Sequence, residues 1–292
     1  MLRLAVATNA ETLERICDPL AERGIRAEYV PTTERAISLD EPLVTEPFDV
    51  GFVFPSRIME GGVADALLDV PWVNDREAIL RSRNKAGALA RLRSAGVPTP
   101  ESVYVSNPAS QSELVAAFER LDPPVVVKPN STTRGIGVAK AHDLDSFLGI
   151  CDYLSLVHDY RATGDRSFLV QEYLADARDV RAMIVDGEYV GAVERRLPAD
   201  RRVAGQWKHN VHRGAEATGI ELSAALKALA EAAASALDIR WLGVDILTVD
   251  GRAVVNETNA RPTVDAATKY ETGFYDRLAS LIRETARQNE RS

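Results

Sequence analysis

The stretch that decides the fold reads Gly243-Val244-Asp245-Ile246-Leu247-Thr248-Val249-Asp250-Gly251-Arg252-Ala253-Val254-Val255-Asn256-Glu257-Thr258-Asn259. Two apolar runs flank an Asp-Gly pair, the pattern of a β-hairpin closed by a tight turn. Side chains alternate along a strand, so Glu257 and Asn259 share one face, and Asp245 lies on the partner strand. Two carboxylates and an amide oxygen are hard donors suited to Mg2+, which keeps several waters and bridges substrate phosphates. The same residues also suit a salt-bridged hairpin with a solvated acidic face. The trio therefore needs a partner elsewhere in the chain.

That partner is Pro124-Val125-Val126-Val127-Lys128-Pro129, followed by Asn130-Ser131-Thr132-Thr133-Arg134-Gly135-Ile136-Gly137-Val138. A short buried strand ends in a lysine, and a loop of mostly small residues leads to a second strand. Loop amides freed by Gly135 and Gly137 can cradle phosphate oxygens, and the lysine adds a point charge. The loop lacks GxxxxGK[ST] and is not a P-loop. Lysine loop and acidic trio, in this order and over a hundred residues apart, point together to a nucleotide–metal site.

Further motifs make the chain resemble the ATP-grasp superfamily, specifically its RimK-type carboxylate–amine ligases, from about Asn74 to the C-terminus. Asn84-Lys85 opens a helical run ending Ser94-Ala95-Gly96-Val97-Pro98-Thr99-Pro100, similar to the family's first nucleotide lysine and GxPxP turn. Lys128 matches the second lysine. Val170-Gln171-Glu172-Tyr173-Leu174 resembles the interdomain strand that hydrogen-bonds adenine, and Asp179-Val180-Arg181 the D-[IV]-R motif with its ribose contact at Asp179. Val193-Glu194-Arg195-Arg196 and Lys208-His209-Asn210-Val211-His212-Arg213-Gly214 resemble the branch's ERR…N-[LV]-H-R-G segment.

The resemblance implies an ATP-grasp fold, mixed α/β and α+β. A parallel α/β domain would occupy residues 1–95, a small lobe 96–174, and a C-terminal lobe 175–292 with the metal site, the lobes enclosing ATP. It implies ATP and Mg2+ (or Mn2+) as cofactors. Lys85, Lys128, Gln171, Glu172, Tyr173, Leu174, Asp179, Lys208, His209 and Asn210 would bind the nucleotide, and Asp245, Glu257 and Asn259 the metal. Arg195, Arg213 and Arg261 would serve the reaction, since guanidinium pairs bidentately with carboxylates and acylphosphates. The implied reaction joins an amino acid, L-glutamate in this branch, to an amine or carboxylate acceptor that is a small molecule or a protein tail. A nucleotide-binding scaffold without turnover is the alternative, and the intact lysines and metal trio favour the enzyme.

Composition sets outer bounds. A chain of 292 residues with 46% hydrophobic content buries a large core. It has no run of about 18 apolar residues, and its first residues read as a strand, so a membrane span and a signal peptide are not expected. A cytoplasmic location is. The net charge of −8 argues against nucleic acid as a partner. Cys17 and Cys151 lack metal or redox spacing and read as free thiols. His209 and His212 lack the further ligands that a metal site would need. A homo-oligomer is expected.

Along the chain, strands are expected at 2–8, 25–30, 50–54, 102–105, 125–128, 137–141 and 168–174, with a hairpin over 180–195 turning at Asp186-Gly187. Helices are expected at 10–23, from Asp75 to Ser94, at 110–121, 143–158, 221–237 and 275–288, and a loop over 196–217. The family's small residue and Pro-Gly after the metal asparagine are replaced by Ala260-Arg261-Pro262-Thr263. The spacing from Glu172 to Asp179 is also shorter than the branch's. Arg261 is therefore expected to contact a substrate carboxylate, with a salt bridge to Asp265 as the alternative.

Overall fold

The computed structural model describes residues 1–133, 135–157, 164–198, 200, 206–208 and 214–288. The chain begins with β1 (Leu2–Val6), α1 (Glu11–Ala21), β2 (Ile25–Tyr29), β3 (Val50–Phe52), α2 (Ile58–Leu68) and β4 (Trp72–Val73). The four strands pair in parallel in the order β2-β1-β3-β4. α1 forms because Thr12, Ile16 and Leu20 recur every fourth residue, and these are what it buries. α2 escapes a sequence reading because its apolar residues run around the helix and leave no stripe.

The single helix read from Asp75 to Ser94 is two helices, α3 (Arg76–Arg83) and α4 (Lys85–Ser94). Asn84 breaks it. Its backbone leaves the helical region, and its Oδ1 accepts the Gly87 N–H at 3.0 Å, ending one helix and capping the next. The break places Lys85 on the first turn of α4.

A second sheet follows, from β5 (Ser102–Val105), α5 (Gln111–Glu119), β6 (Val125–Pro129), β7 (Ala139–Ala141), α6 (Leu144–Val157) and β8 (Phe168–Glu172). Its antiparallel order is β5-β8-β6-β7. A Ser110–Glu113 capping box starts α5. Val105, Phe118, Val125, Val127, Phe147 and Phe168 share a core belonging to this lobe. Cys151 is buried in it, and burial pushes its thiol up to about 12; Cys17 and Cys151 are both free.

The third sheet comprises β9 (Arg178–Val185), β10 (Glu188–Arg196), β11 (Glu216–Ile220), β12 (Trp241–Val249) and β13 (Arg252–Asn259), with α7 (Ala224–Leu237) and α8 (Phe274–Gln288) packed on it. Its antiparallel order is β11-β10-β9-β12-β13. Both Asp-Gly turns behave as their sequence requires: Asp186 and Gly187 have φ of 53° and 82°, Asp250 and Gly251 50° and 77°. The expected loop over 196–217 gives way at its end to β11, an edge strand whose Glu216-Ala217-Thr218-Gly219-Ile220 carries few strand formers.

α8 packs Phe274, Leu278 and Ile282 with Leu4, Val6 and Phe52 of the first sheet and Met183, Val185 and Trp241 of the third. Asn74 ties the same parts: its Nδ2 donates to Trp241 O at 2.5 Å and to Ala260 O at 2.7 Å. Among the described residues, no helix is long and apolar enough to cross a membrane.

Candidate active site

Two lysines from different elements converge on the β12–β13 hairpin. Lys128, last but one in β6, is buried, and its Nζ donates to Gln171 Oε1 and, at 2.9 Å, to Asn256 Oδ1. Lys85 Nζ donates to the Thr132 carbonyl and lies 3.4 Å from Glu257 Oε1. Asn130 fixes the loop against α4: its Oδ1 accepts the Ala86 N–H at 2.8 Å, and its Nδ2 donates to Asn84 Oδ1 at 3.0 Å. Burial pushes the Lys128 ammonium down to about 8, which the charge of Glu257 offsets only in part.

Behind the lysines runs a ladder of charges across four strands, β13, β12, β9 and β10. Asp245 sits opposite Glu257 on one side and Arg181 on the other. Arg181 clamps it through two bonds, Nε to Oδ1 at 2.6 Å and Nη2 to Oδ2 at 2.8 Å. Arg195 Nη2 bridges Asp245 Oδ2 at 3.0 Å and Asp179 Oδ1 at 2.5 Å. Burial alone would raise the Asp245 carboxyl, but the two guanidiniums outweigh it and hold it well below the usual range. Beside the ladder lies a cavity of about 260 Å3 lined by Asp176, Arg178, Asp179, Glu194, Arg195 and Arg196 among others.

Asp245 and Glu257 are directly paired, and Asn259 stands opposite Gly243, which has no side chain to block it. Among the described residues no three His, Cys, Asp or Glu side chains gather to hold a metal. An ion here would therefore rest on two carboxylates, an amide oxygen and outside ligands. The donor set fits a hard cation: Asp245 Oδ1 accepts one hydrogen bond and keeps a lone pair, and Glu257 is partly exposed.

The profile of the RimK-like ATP-grasp domain matches residues 82–279, about two thirds of the chain. The chain belongs to the RimK-like ATP-grasp family. It is 30% identical over 219 residues to a probable alpha-L-glutamate ligase of Pectobacterium carotovorum, covering 74% of this chain and 67% of the relative. A protein of the same description from Klebsiella pneumoniae is 32% identical over 195 residues, 66% of this chain and 60% of its own. Two solved structures share the fold. The RimK domain ATP-grasp protein of Sphaerobacter thermophilus has a TM-score of 0.67 at 22% identity, covering 97% of this chain and 99% of its own. The D-alanine–D-alanine ligase of Bacillus anthracis complexed with ATP has a TM-score of 0.67 at 17% identity, covering 100% and 99%.

In this ATP-grasp chain several expected nucleotide residues are occupied by other contacts. Gln171 Nε2 donates to Ser102 Oγ at 3.0 Å while its Oε1 accepts from Lys128. Glu172 turns its carboxylate onto Arg252, accepting from Nη2 at 2.6 Å and Nη1 at 2.8 Å, and also from the Glu101 N–H at 2.6 Å. Its backbone N–H is engaged as well, donating to Glu101 O at 2.9 Å. β8 ends at Glu172, so Tyr173 and Leu174, expected inside a strand over 168–174, lie just past it. Tyr173 meets Trp207 edge to face at 5.7 Å, with Lys140 Nζ 4.4 Å from its ring centre. Lys208 Nζ donates to Val138 O, tying the segment before β11 to the residue just before β7.

His209, Asn210 and Arg213 lie outside the described residues. Arg261 stays close to Asn259, the asparagine expected to bind metal: its backbone N–H donates to Asn259 Oδ1 at 2.9 Å. Asp265, the alternative partner named for Arg261, accepts from Lys269 Nζ at 2.9 Å and lies 3.6 Å from Arg15. Sequence reasoning missed Arg181 and Asn256 as site residues. Arg181 stood within the D-[IV]-R motif, which was the available signal; Asn256 had none, because its role depends on an irregular strand register.

Proposed function

We propose that the chain is an ATP-dependent ligase that forms an amide bond through an acylphosphate, with L-glutamate as the amino acid. The observation that carries this reading is the approach of Lys85 and Lys128 to Asn256 and Glu257 beside the paired Asp245. Phosphoryl transfer asks for positioning and charge neutralisation more than for a protein nucleophile. A substrate carboxylate oxygen attacks the γ-phosphorus and ADP leaves; an amine nitrogen then attacks the acyl carbon, loses its proton, and inorganic phosphate leaves.

In this reading Lys85 and Lys128 bind phosphate oxygens, and Arg195 and Arg181 hold Asp245 in place. Asp245, Glu257 and Asn259 would hold Mg2+ or Mn2+, which supplies charge neutralisation at the phosphates. Guanidiniums and carboxylates around the 260 Å3 cavity suit a zwitterionic amino acid. Glutamate is chosen on the names of the relatives from Pectobacterium and Klebsiella. The domain division at 95 and 174, a cytoplasmic location and self-association belong to the same proposal.

The test is ADP release from purified protein with Mg-ATP, each amino acid in turn, and a fractionated cell extract as acceptor. A product heavier by one or more glutamyl units supports the reading. ATP binding with no acceptor-dependent ADP release would make the protein a nucleotide-binding scaffold instead.

A further inference from the structure

Lys128 is held between two lobes by two neutral amides. Its Nζ donates to Gln171 Oε1 on β8 and to Asn256 Oδ1 on β13, the latter at 2.9 Å. An ammonium has three N–H donors, so two amides leave one for a phosphate oxygen and cancel none of the charge. A carboxylate in either place would hold the lysine as well but would compete with the phosphate for it.

Asn256 reaches the lysine through an irregularity in the hairpin. Asp245 pairs with Glu257 and Ile246 with Val255, so Asn256 is the extra residue of a bulge. In an even ladder, neighbours face opposite sides of the sheet. The bulge instead lets Asn256 meet Lys128 while Glu257 faces Lys85 at 3.4 Å. One strand irregularity thus serves both lysines.

We propose that Asn256 is a positioning residue for Lys128. The bulge amide holds the lysine of the second sheet against the hairpin of the third, so the phosphate-binding cation and the adjacent Glu257 carboxylate keep a set separation. The inference rests on the reading of this cleft as a nucleotide site. It adds that the geometry of that site is set by a residue that itself binds neither metal nor nucleotide.

A double-mutant cycle tests it, with ATP affinity measured by calorimetry on the full chain in wild type, Asn256→Leu, Lys128→Met and the double variant, and Asn256→Ala replacing leucine if that variant does not fold. Loss of one hydrogen bond to a charged group predicts about tenfold weaker ATP binding in Asn256→Leu. In the Lys128→Met background the same substitution should change affinity by less than about twofold, since the group it positions is gone. Equal weakening in both backgrounds would show that Asn256 acts by shaping the hairpin alone, and would overturn the proposal. Wild-type affinity in Asn256→Leu, with Lys128→Met weakened, would overturn it too. Wild-type affinity in Lys128→Met would instead overturn the nucleotide reading of the lysine, and the inference with it.

Discussion

Asp245 and Glu257 face each other across one hairpin, yet they are built differently. Asp245 is buried between Arg181 and Arg195, whereas Glu257 is partly exposed beside Lys85. Breaking a buried ion pair costs about 3 kcal/mol, and an exposed one rarely more than about 1 kcal/mol. Asp245→Asn should therefore abolish turnover and lower stability by about 3 kcal/mol, while Glu257→Gln should abolish turnover with little loss of stability. Urea unfolding beside steady-state kinetics separates the two; equal stability losses would refute the assignment. Lys128 adds a pH dependence. Burial brings it to about 8 in the folded chain, from an ordinary value of 10.5. Between those values the folded chain binds fewer protons than the unfolded one, so this lysine's contribution to stability rises with pH. Phosphate binding runs the other way because it needs the charged form. ATP affinity should hold steady below pH 8 and fall by at most about tenfold per unit above it, and Lys128→Arg should flatten the profile because arginine stays charged. A calorimetric titration from about pH 7 to about pH 9.5 reads both variants.

Two elements owe their function to where they break. The helix expected from Asp75 to Ser94 is interrupted at Asn84, whose side chain caps α4 and meets Asn130 of the lysine loop. Gly87 belongs to this cap: a Cβ there would stand 2.8 Å from Asn84 Nδ2. Removing an asparagine cap costs about 1 kcal/mol. Asn84→Ala should lower stability by that amount and weaken ATP binding as well, because Lys85 on the first turn loses its anchor. Stability lost with nucleotide affinity unchanged would make the cap structural only. The bulge at Asn256 is the second break, and a strand pattern read with strict alternation cannot anticipate it.

At the scale of the molecule, buried asparagine and mixed cores join the first sheet to the third. Asn74 donates to Trp241 O and Ala260 O and accepts from the Trp241 N–H at 3.3 Å, bonds that span more than 160 residues. Asn74→Ala leaves those groups buried and unpaired at about 1–3 kcal/mol apiece, so stability should fall by at least about 2 kcal/mol. Because Leu4, Phe52, Trp241 and Leu278 share one cluster, first and third sheets should still unfold together. Separate transitions followed by tryptophan fluorescence and far-ultraviolet dichroism would show that they do not.

Local signals were enough for much of this. Asp186-Gly187 and Asp250-Gly251 turn where they do because both central residues take positive φ. Val125-Val126-Val127 is a buried strand by composition, and the order of lysine, D-[IV]-R and D…ExN motifs carries the family resemblance by itself. Such signals depend on backbone period and turn chemistry, which act over a few residues. Only the tertiary structure decided that Arg181 and Arg195 clamp Asp245, that Glu172 answers Arg252, and that Asn256 holds Lys128. These partners lie between 50 and 128 residues apart, from Arg195–Asp245 to Lys128–Asn256, and strand register and lobe packing bring them together. No propensity of a single segment encodes that register, which is why the chemistry-bearing residues were legible one by one and their pairing was not.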